Sequence, residues 1–405
     1  MIMRIGKFGK VNDLSIDTIR HYMDLGLIVP EKQGGHYFFD ERCQMDLDLI
    51  LELKKMGFRL NEMKMIFHYK NFAKLTDYEV DAYYQSIFLK KYEELDHEIK
   101  MLAEARDRLK QKVALLSTSS QETSCALGVD LTVLAMLRCV KCAGHLTLQD
   151  GVISRNQIIE GKLSCDCGEE YPIESGIVKV GKRVKPVTPL VNSIPEYIQE
   201  TDPMYLENMN IGLHWLKRKL DQVNLTKKVI LELGSGSGFF LRNIYQDLPE
   251  DCLYIAVEHN IERHLFLKNF LEKAGIKRKI LFICADFLEI PLPSHMVDMV
   301  VDHTGTSNYS FEHEAFLLDE VDSLVKPDGY LLGSYLVFKN FSHKSKIEAR
   351  NRDNFTINTI RKNISHLKYK AQDEWISEPI NKGGKFEDFF VPGEEIYSYS
   401  FFGKR

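Results

Sequence analysis

Ile230-Leu231-Glu232-Leu233-Gly234-Ser235-Gly236-Ser237-Gly238 is the stretch that decides how this chain of 405 residues is read. A short apolar run carrying one acid leads into three glycines at alternate positions, and helical spacing begins near Phe239. Glycines so spaced let a backbone turn sharply and let a ligand lie against it without meeting Cβ atoms. A dinucleotide-binding loop needs a further glycine three residues after the second of its pair. From Gly236 that position is Phe239, and from Gly238 it is Leu241, so the dinucleotide fingerprint fails.

Working outward, strand-like runs alternate with helical ones from about residue 205 to the end, the pattern of a parallel α/β sheet. A second strand over 253–257 ends in Glu258, 20 residues beyond Gly238. A carboxylate there can accept both ribose hydroxyls of an adenosine moiety. A third strand over 280–285 ends at Asp286-Phe287, an acid and a ring suited to the adenine amine and face. A fourth runs over 297–301, and Lys326-Pro327-Asp328-Gly329 turns into a fifth.

Glu-x-Gly-x-Gly-x-Gly and these landmarks, in this order, resemble the class I S-adenosylmethionine (SAM) methyltransferases over residues 205–405. The resemblance implies a Rossmann-like α/β sheet with SAM across the carboxyl ends of its strands. Gly234, Gly236 and Gly238 would border SAM, and Glu232 would order the loop near the methionine end. Glu258 would hold the ribose, and Asp286 with Phe287 would bracket adenine. Methyl transfer needs mainly a nucleophile in line with the sulfonium carbon, so few residues are obligatory. His303 or Asp302, at the end of the fourth strand, is read either as a general base or as a pocket residue. The Pro-Pro-Tyr/Phe signature of base-amine methylation is absent there. Residues 339–370 carry nine Lys/Arg against two acids. They read either as a basic lid for an anionic acceptor or nucleic acid, or as a solvated helix face with Ile357, Ile360, Ile364 and Leu367 packed beneath.

The first 70 residues have a different grammar. Residues 2–11 read as a short helix, and Ser15 can cap a second over 16–25 that stops at Gly26. Residues 30–39, with Gly34-Gly35, read as a β-wing, and helices follow near 41–56 and 60–69. Ile5-Gly6, Thr18-Ile19-Arg20-His21-Tyr22, Gly26-Leu27-Ile28-Val29-Pro30 and Met56-Gly57-Phe58-Arg59-Leu60, in that order, closely resemble the MerR family of winged-helix transcription regulators. That resemblance implies a DNA-binding domain over 1–75. Ser15, Asp17, Thr18, Arg20 and His21 would face the major groove or its phosphates, and Tyr22 with wing residues His36 and Tyr37 would touch the backbone of double-stranded operator DNA. The wing departs from the family's Gly-Tyr-Arg pattern, because Tyr37 stands where the arginine would be. With eleven Lys/Arg against ten Asp/Glu in residues 1–70, non-specific affinity should be modest.

Residues 76–118 read as a long charged helix. Phe88, Tyr92, Leu95, Ile99, Leu102, Leu109, Val113 and Leu116 step by four and three, and Arg106 fills the one skipped seam position. So narrow a stripe needs a partner helix, and the family resemblance implies an antiparallel coiled coil that makes a homodimer. Residues 117–135 open with a polar Ser117-Thr118-Ser119-Ser120 and read as a linker.

Eight cysteines in so long a chain, four of them clustered, point to metal ligation in a reducing cytoplasm rather than a disulfide framework. Cys139-Val140-Lys141-Cys142 and Cys165-Asp166-Cys167 offer four thiolates for a closed, structural Zn²⁺ site. The run from Cys167 through Tyr171-Pro172-Ile173 to Gly176-Ile177 resembles the small zinc-ribbon family that activates or precedes some methyltransferases. A small β zinc ribbon is therefore expected over 131–182, followed by a connector with Pro186, Pro189, Pro195 and Pro203.

The net charge of -5 argues against a broadly polyanion-coating surface. There is no signal-peptide pattern and no apolar run of membrane-spanning length. The expectation is a multidomain, dimeric, cytoplasmic regulator with a SAM-dependent methyltransferase domain acting on a small molecule. Two alternatives remain at this point: a non-catalytic regulator that senses SAM or a drug-like effector, and an RNA methyltransferase with a degenerate winged helix.

Overall fold

The computed structural model describes residues 2–72, 81–118, 125–181 and 194–405. Pro186, Pro189, Ser119 and Ser120 lie outside the described residues. The chain divides into two units, Met1–Gln121 and Glu122–Arg405. Among the described residues no helix is long and apolar enough to cross a membrane.

The first unit runs β1 (Met3–Arg4), α1 (Ile5–Val11), α2 (Ile16–Asp24), β2 (Glu31–Gln33), β3 (His36–Phe39), α3 (Glu41–Lys55), α4 (Leu60–Phe72) and α5 (Ala82–Thr118). The helix expected from residue 2 starts later, because Met3 and Arg4 pair with Phe39 and Phe38 of the wing. That pairing seats Phe8 on Phe39, with ring centroids 4.5 Å apart and stacked. Burying each such ring stabilises the fold by about 2–3 kcal/mol. Two side chains set the helix starts. Ser15 Oγ accepts the Thr18 N–H at 3.0 Å, and Asp40 Oδ1 accepts the Cys43 N–H at 2.9 Å. Each satisfies an amide that the first helical turn leaves unpaired.

The 37 residues of α5 span about 55 Å. Its start is held by the domain core, where Phe88 meets Phe58 edge-on at 5.3 Å and Lys91 pairs with Glu62 at 2.7 Å. Farther along, seam residues face solvent within this chain: Ile99 is 65% exposed and Leu102 is 63% exposed. Arg106 bonds Asp107 at 3.0 Å. The helix continues through Ser117 and Thr118, so the linker expected to open at Ser117 does not begin there.

The second unit contains β4 (Val129–Asp130), β5 (Thr147–Ser154), β6 (Gln157–Ser164), β7 (Glu170–Glu174), β8 (Ile177–Lys179), α6 (Ile194–Glu200), α7 (Pro203–Leu220), β9 (Val229–Leu233), α8 (Phe239–Ile244), β10 (Leu253–Glu258) and α9 (Ile261–Glu272). It continues with β11 (Lys279–Cys284), β12 (Val297–His303), α10 (Gly305–Ser310), α11 (Leu317–Val321), β13 (Val325–Phe338), α12 (Ile357–His366), β14 (Lys370–Ile376) and β15 (Ile396–Lys404). All these strands join one sheet in the order β14-β15-β13-β12-β9-β10-β11-β8-β7-β6-β4, with β5 beside β6.

The cysteine-bearing segment is therefore not a free-standing ribbon. β8 pairs parallel with β11 through Ile177↔Phe282 and Lys179↔Cys284, so the ribbon's hairpins extend the α/β sheet. One apolar core runs through both parts and includes Val133, Leu137, Cys139, Leu231, Val257 and Ile283. Within the segment read as a linker, Val129 and Asp130 pair with Ile158 and Gln157. Pro195 and Pro203, read as connector, sit in the first turns of α6 and α7, where a missing N–H costs no helical bond. The opposite face of the sheet is covered by α7, α8 and α9, with Trp215, Phe240, Leu267 and Phe282 in its core.

Candidate functional site

Strand order creates the crevice. From β9 the chain steps to β10 and β11 on one side, then returns to β12 and β13 on the other. The order reverses between β9 and β12, and ligands of open α/β sheets bind outside the strand ends at such a reversal. Loop 234–238 leaves β9 at this point. Gly234 and Ser235 both donate their N–H to Val257 O at 3.0 Å, which ties the loop to β10. Gly234, Gly236 and Gly238 all have positive φ, from +52° to +79°. Those angles disfavour side chains.

Glu232 lies buried beneath this loop. Its Oε2 and the Ser235 Oγ are buried without a hydrogen-bond partner among the described residues. Burial pushes the Glu232 carboxyl up to about 8. An orphaned acid costs on the order of 1–3 kcal/mol. In the loop that follows, a Cβ on Gly236 would meet nothing nearer than 3.9 Å, whereas one on Gly238 would strike the Leu267 side chain.

Glu258 closes β10, as expected, and is also buried. Its Oε2 accepts the Gly236 N–H at 3.0 Å, and its Oε1 accepts the Asn260 N–H at 2.9 Å. Each carboxylate oxygen has a second lone pair left for a diol. His259 and Arg263 flank it at 3.1 and 3.8 Å. Asp286 is exposed at the end of β11, and one of its oxygens accepts the Leu288 N–H at 3.0 Å. Phe287 is half-buried and leans into the crevice. A Cβ on Gly234 would lie 3.5 Å from its ring and 3.3 Å from Gly305 Cα.

The end of β12 differs from expectation. Asp302 is fully buried, its Oδ1 accepting the Thr306 N–H at 2.8 Å and its Oδ2 the Thr306 hydroxyl at 2.6 Å. Burial pushes it up to about 6. Both oxygens staple the turn into α10. His303 is half-buried, stacks on Phe240 at 6.1 Å, and is pushed down to about 4 by burial. It is a neutral imidazole at neutral pH. Thr304 is held at φ +67°, and the sequence reading passed over it and Gly305. A Cβ on Gly305 would lie 2.9 Å from Leu233 C, so this glycine lets α10 close against β9. The signal was a glycine at a strand end opposite the glycine loop.

Four of the nine cations of the basic run are paired. Lys339, Lys346, Arg350 and Arg361 pair with Glu395, Asp388, Glu348 and Glu374. Ile360 and Ile364 are buried in the sheet core, which bears out the packed-stripe reading of α12.

The four cysteine sulfurs lie within 4.8 Å of one another. Cys142 and Cys165 sulfurs are 3.4 Å apart, and Cys139 and Cys167 sulfurs 3.6 Å. Gly144 gives the knuckle its room, because a Cβ there would sit 3.1 Å from both Cys142 and Cys165 sulfurs. Four thiols converging without disulfides fit a tetrahedral Zn²⁺.

In the first unit, Asp17, Arg20, His21, His36 and Tyr37 are exposed, and Arg20 Nη1 lies 3.7 Å from Asp17. Ser15 and Thr18 spend their hydroxyls on each other at the helix start. Tyr22 is a correction. It is 3% exposed and packs in the domain core with Ile19 and Leu27, because it falls one helical turn from Ile19 on the inward face.

Two family models match the chain: a MerR HTH family regulatory protein over residues 3–70 and a methyltransferase domain over 225–383. The HTH-type transcriptional regulator CueR of Vibrio cholerae is 27% identical over 114 residues, which are 28% of this chain and 79% of that protein. The carboxy-S-adenosyl-L-methionine synthase of Helicobacter pylori is 25% identical over 99 residues, 24% of this chain. This chain spans 40% of that synthase's length. A SAM-dependent methyltransferase of Aquifex aeolicus aligns in structure at 16% identity with a TM-score of 0.34, over 51% of this chain and 95% of that one. The chain thus joins a region that matches the MerR HTH regulatory family model at its N-terminal end to a region that matches a methyltransferase domain at its C-terminal end.

Proposed function

We propose that the protein is a DNA-binding regulator, dimeric through α5, whose C-terminal half transfers a methyl group from SAM to a small molecule in the β9/β12 crevice. The observation that carries the second part is the orphaned, buried carboxyl oxygen of Glu232 beneath the 234–238 cradle. In this reading Gly234, Gly236 and Gly238 lie against the methionine end of SAM, with Glu232 beneath them. Glu258 takes the ribose hydroxyls, while Asp286 and Phe287 hold adenine. When bound, SAM supplies an electrophilic methyl on a sulfonium. The chain's own work is to align the acceptor and keep water out. His303 at the end of β12 would take a proton from the acceptor as a weak base, since burial holds its pKa down near 4. Asp302 holds the turn that presents it.

In the first unit the exposed Arg20, His21 and Asp17 of α2 and the wing tip at His36 and Tyr37 form the DNA-facing surface, while Tyr22 supports α2 from within. Cys139, Cys142, Cys165 and Cys167 hold a structural zinc.

A second reading, SAM sensing without turnover, draws on Asp302, whose carboxylate is committed to Thr306. Calorimetric titration of the full chain with SAM and with its demethylated product tests the site, and absence of heat with both refutes it. Release of demethylated product on adding a metabolite extract separates enzyme from sensor.

A further inference from the structure

The loop at 383–387 forms a lid on α6 and holds a buried carboxylate. Glu387 is 5% exposed. Its Oε2 accepts the Gly384 N–H at 3.0 Å and its Oε1 the Thr201 hydroxyl at 3.4 Å. Among the described residues no Lys, Arg or His pairs with it. The neighbouring cation, Lys385, turns away to Glu196 at 3.1 Å. The Tyr197 hydroxyl also faces it as a neutral donor, and neutral donors repay only part of the several kcal/mol that desolvating a carboxylate costs.

Tyr197 and Tyr205 lie close enough for its charge to act on their hydroxyls. Tyr197 of α6 lies 5.5 Å from the Phe386 ring and 5.4 Å from the Phe239 ring. Burial raises the Tyr197 and Tyr205 hydroxyls well above the ordinary tyrosine range, and the Glu387 charge adds to both. Their protons therefore stay on, and the rings remain neutral. Ring faces attract cations, most strongly where water is excluded.

The cluster adjoins the glycine loop, because Phe239 is the residue that follows Gly238 and opens α8. It is assembled from three parts of the chain: α6, the start of α7, and the lid at 383–387. The lid is seated on α6 by the Lys385 N–H donating to Glu200 O at 3.0 Å.

We infer that the acceptor of this site carries an ammonium group, and that Glu387 with the rings of Tyr197, Tyr205 and Phe386 binds it. The inference rests on the methyl-transfer reading above, and it names the substrate class. A carboxylate serving only as a lid staple would not distinguish a cation from its neutral twin.

The test uses the full chain saturated with demethylated SAM product, with choline and its uncharged carbon isostere 3,3-dimethyl-1-butanol as probes. Binding is read by calorimetry and by ligand-observed NMR. The expected result is at least tenfold tighter binding of choline. Glu387→Gln should erase that preference while leaving the affinity for the SAM product within twofold. Tyr197→Leu, which leaves the carboxylate in place, should reduce the preference by severalfold and guards against a folding failure of the first variant. Equal binding of the two probes, no binding of either, or an undiminished preference in both variants overturns the inference. Failure of the SAM product itself to bind refutes the methyl-transfer reading instead.

Discussion

Gly305→Ala is the sharpest perturbation of the crevice, because it adds one methyl group and no backbone strain of its own. Gly305 is not among the positive-φ glycines of the described residues. Its added Cβ would lie 2.9 Å from Leu233 C and closer still to the Leu233 oxygen. Carbon atoms prefer separations of about 3.5–4.0 Å. The end of β9 and the start of α10 must therefore part by roughly 0.6–1 Å. No flexible side chain can absorb the shift, since the two nearest atoms are backbone and the third, Asp302 Oδ1 at 3.0 Å, is held by the Thr306 N–H. Overpacking of this kind costs about 1–3 kcal/mol. Gly234 follows Leu233 directly, so the displacement enters the glycine loop. We expect SAM affinity to fall about tenfold, which corresponds to about 1.4 kcal/mol. Calorimetry with SAM gives the affinity, and denaturant unfolding of the second unit gives the stability cost. Gly236→Ala is the matched control. Its Cβ meets nothing nearer than 3.9 Å, but its φ is +52°, so it costs about 1–2 kcal/mol through strain alone. SAM affinity within twofold of the parent for Gly305→Ala, with unchanged stability, would refute the reasoning.

Three further outcomes are expected. Glu232 has its carboxyl raised to about 8 from 4.5, so its stabilising contribution is full below pH 4.5 and is lost as pH rises toward 8; Glu232→Gln should match the parent near pH 5 and exceed it in stability at pH 8. An unchanged difference across that range in urea titrations would count against the buried-acid assignment. Metal analysis should find about one zinc per chain. Because the ribbon shares its core with the sheet, Cys142→Ser should lower the melting temperature of the whole second unit rather than of a separate transition. Ile99→Asp with Leu102→Asp should convert a dimer into a monomer in analytical ultracentrifugation and weaken DNA binding; a dimer that survives both charges would mean that the exposed seam is not the interface.

The crevice was legible because its markers are local. Glycines at alternate positions, an acid at the end of β10 and an acid-aromatic pair after β11 each announce backbone geometry or polarity within a few residues. The cysteine pairs were legible for the same reason, since each knuckle is a short turn. Asp302 misled because a strand-end acid reads alike whether it faces a ligand or staples the next turn. Only the position of Thr306 decides between them. Tyr22 misled because its motif names the helix and not which side of it is buried.

By itself the sequence determined the two kinds of domain, the glycine loop and its acids, the heptad seam of α5 and the thiol cluster. The two kinds of domain rest on resemblance to known families, and the other features on periodicities and spacings that neighbouring residues impose on one another. Tertiary structure alone decided that the ribbon is an extension of the sheet. The partner of Ile177 is Phe282, a hundred residues on, and a buried strand edge carries no local mark of which strand will satisfy its amides. It also decided that Gly305 closes against Leu233, and that Glu387 is buried among rings from three distant segments. Burial and counter-charge belong to the assembled surroundings of a group, and those surroundings exist only once the chain has folded.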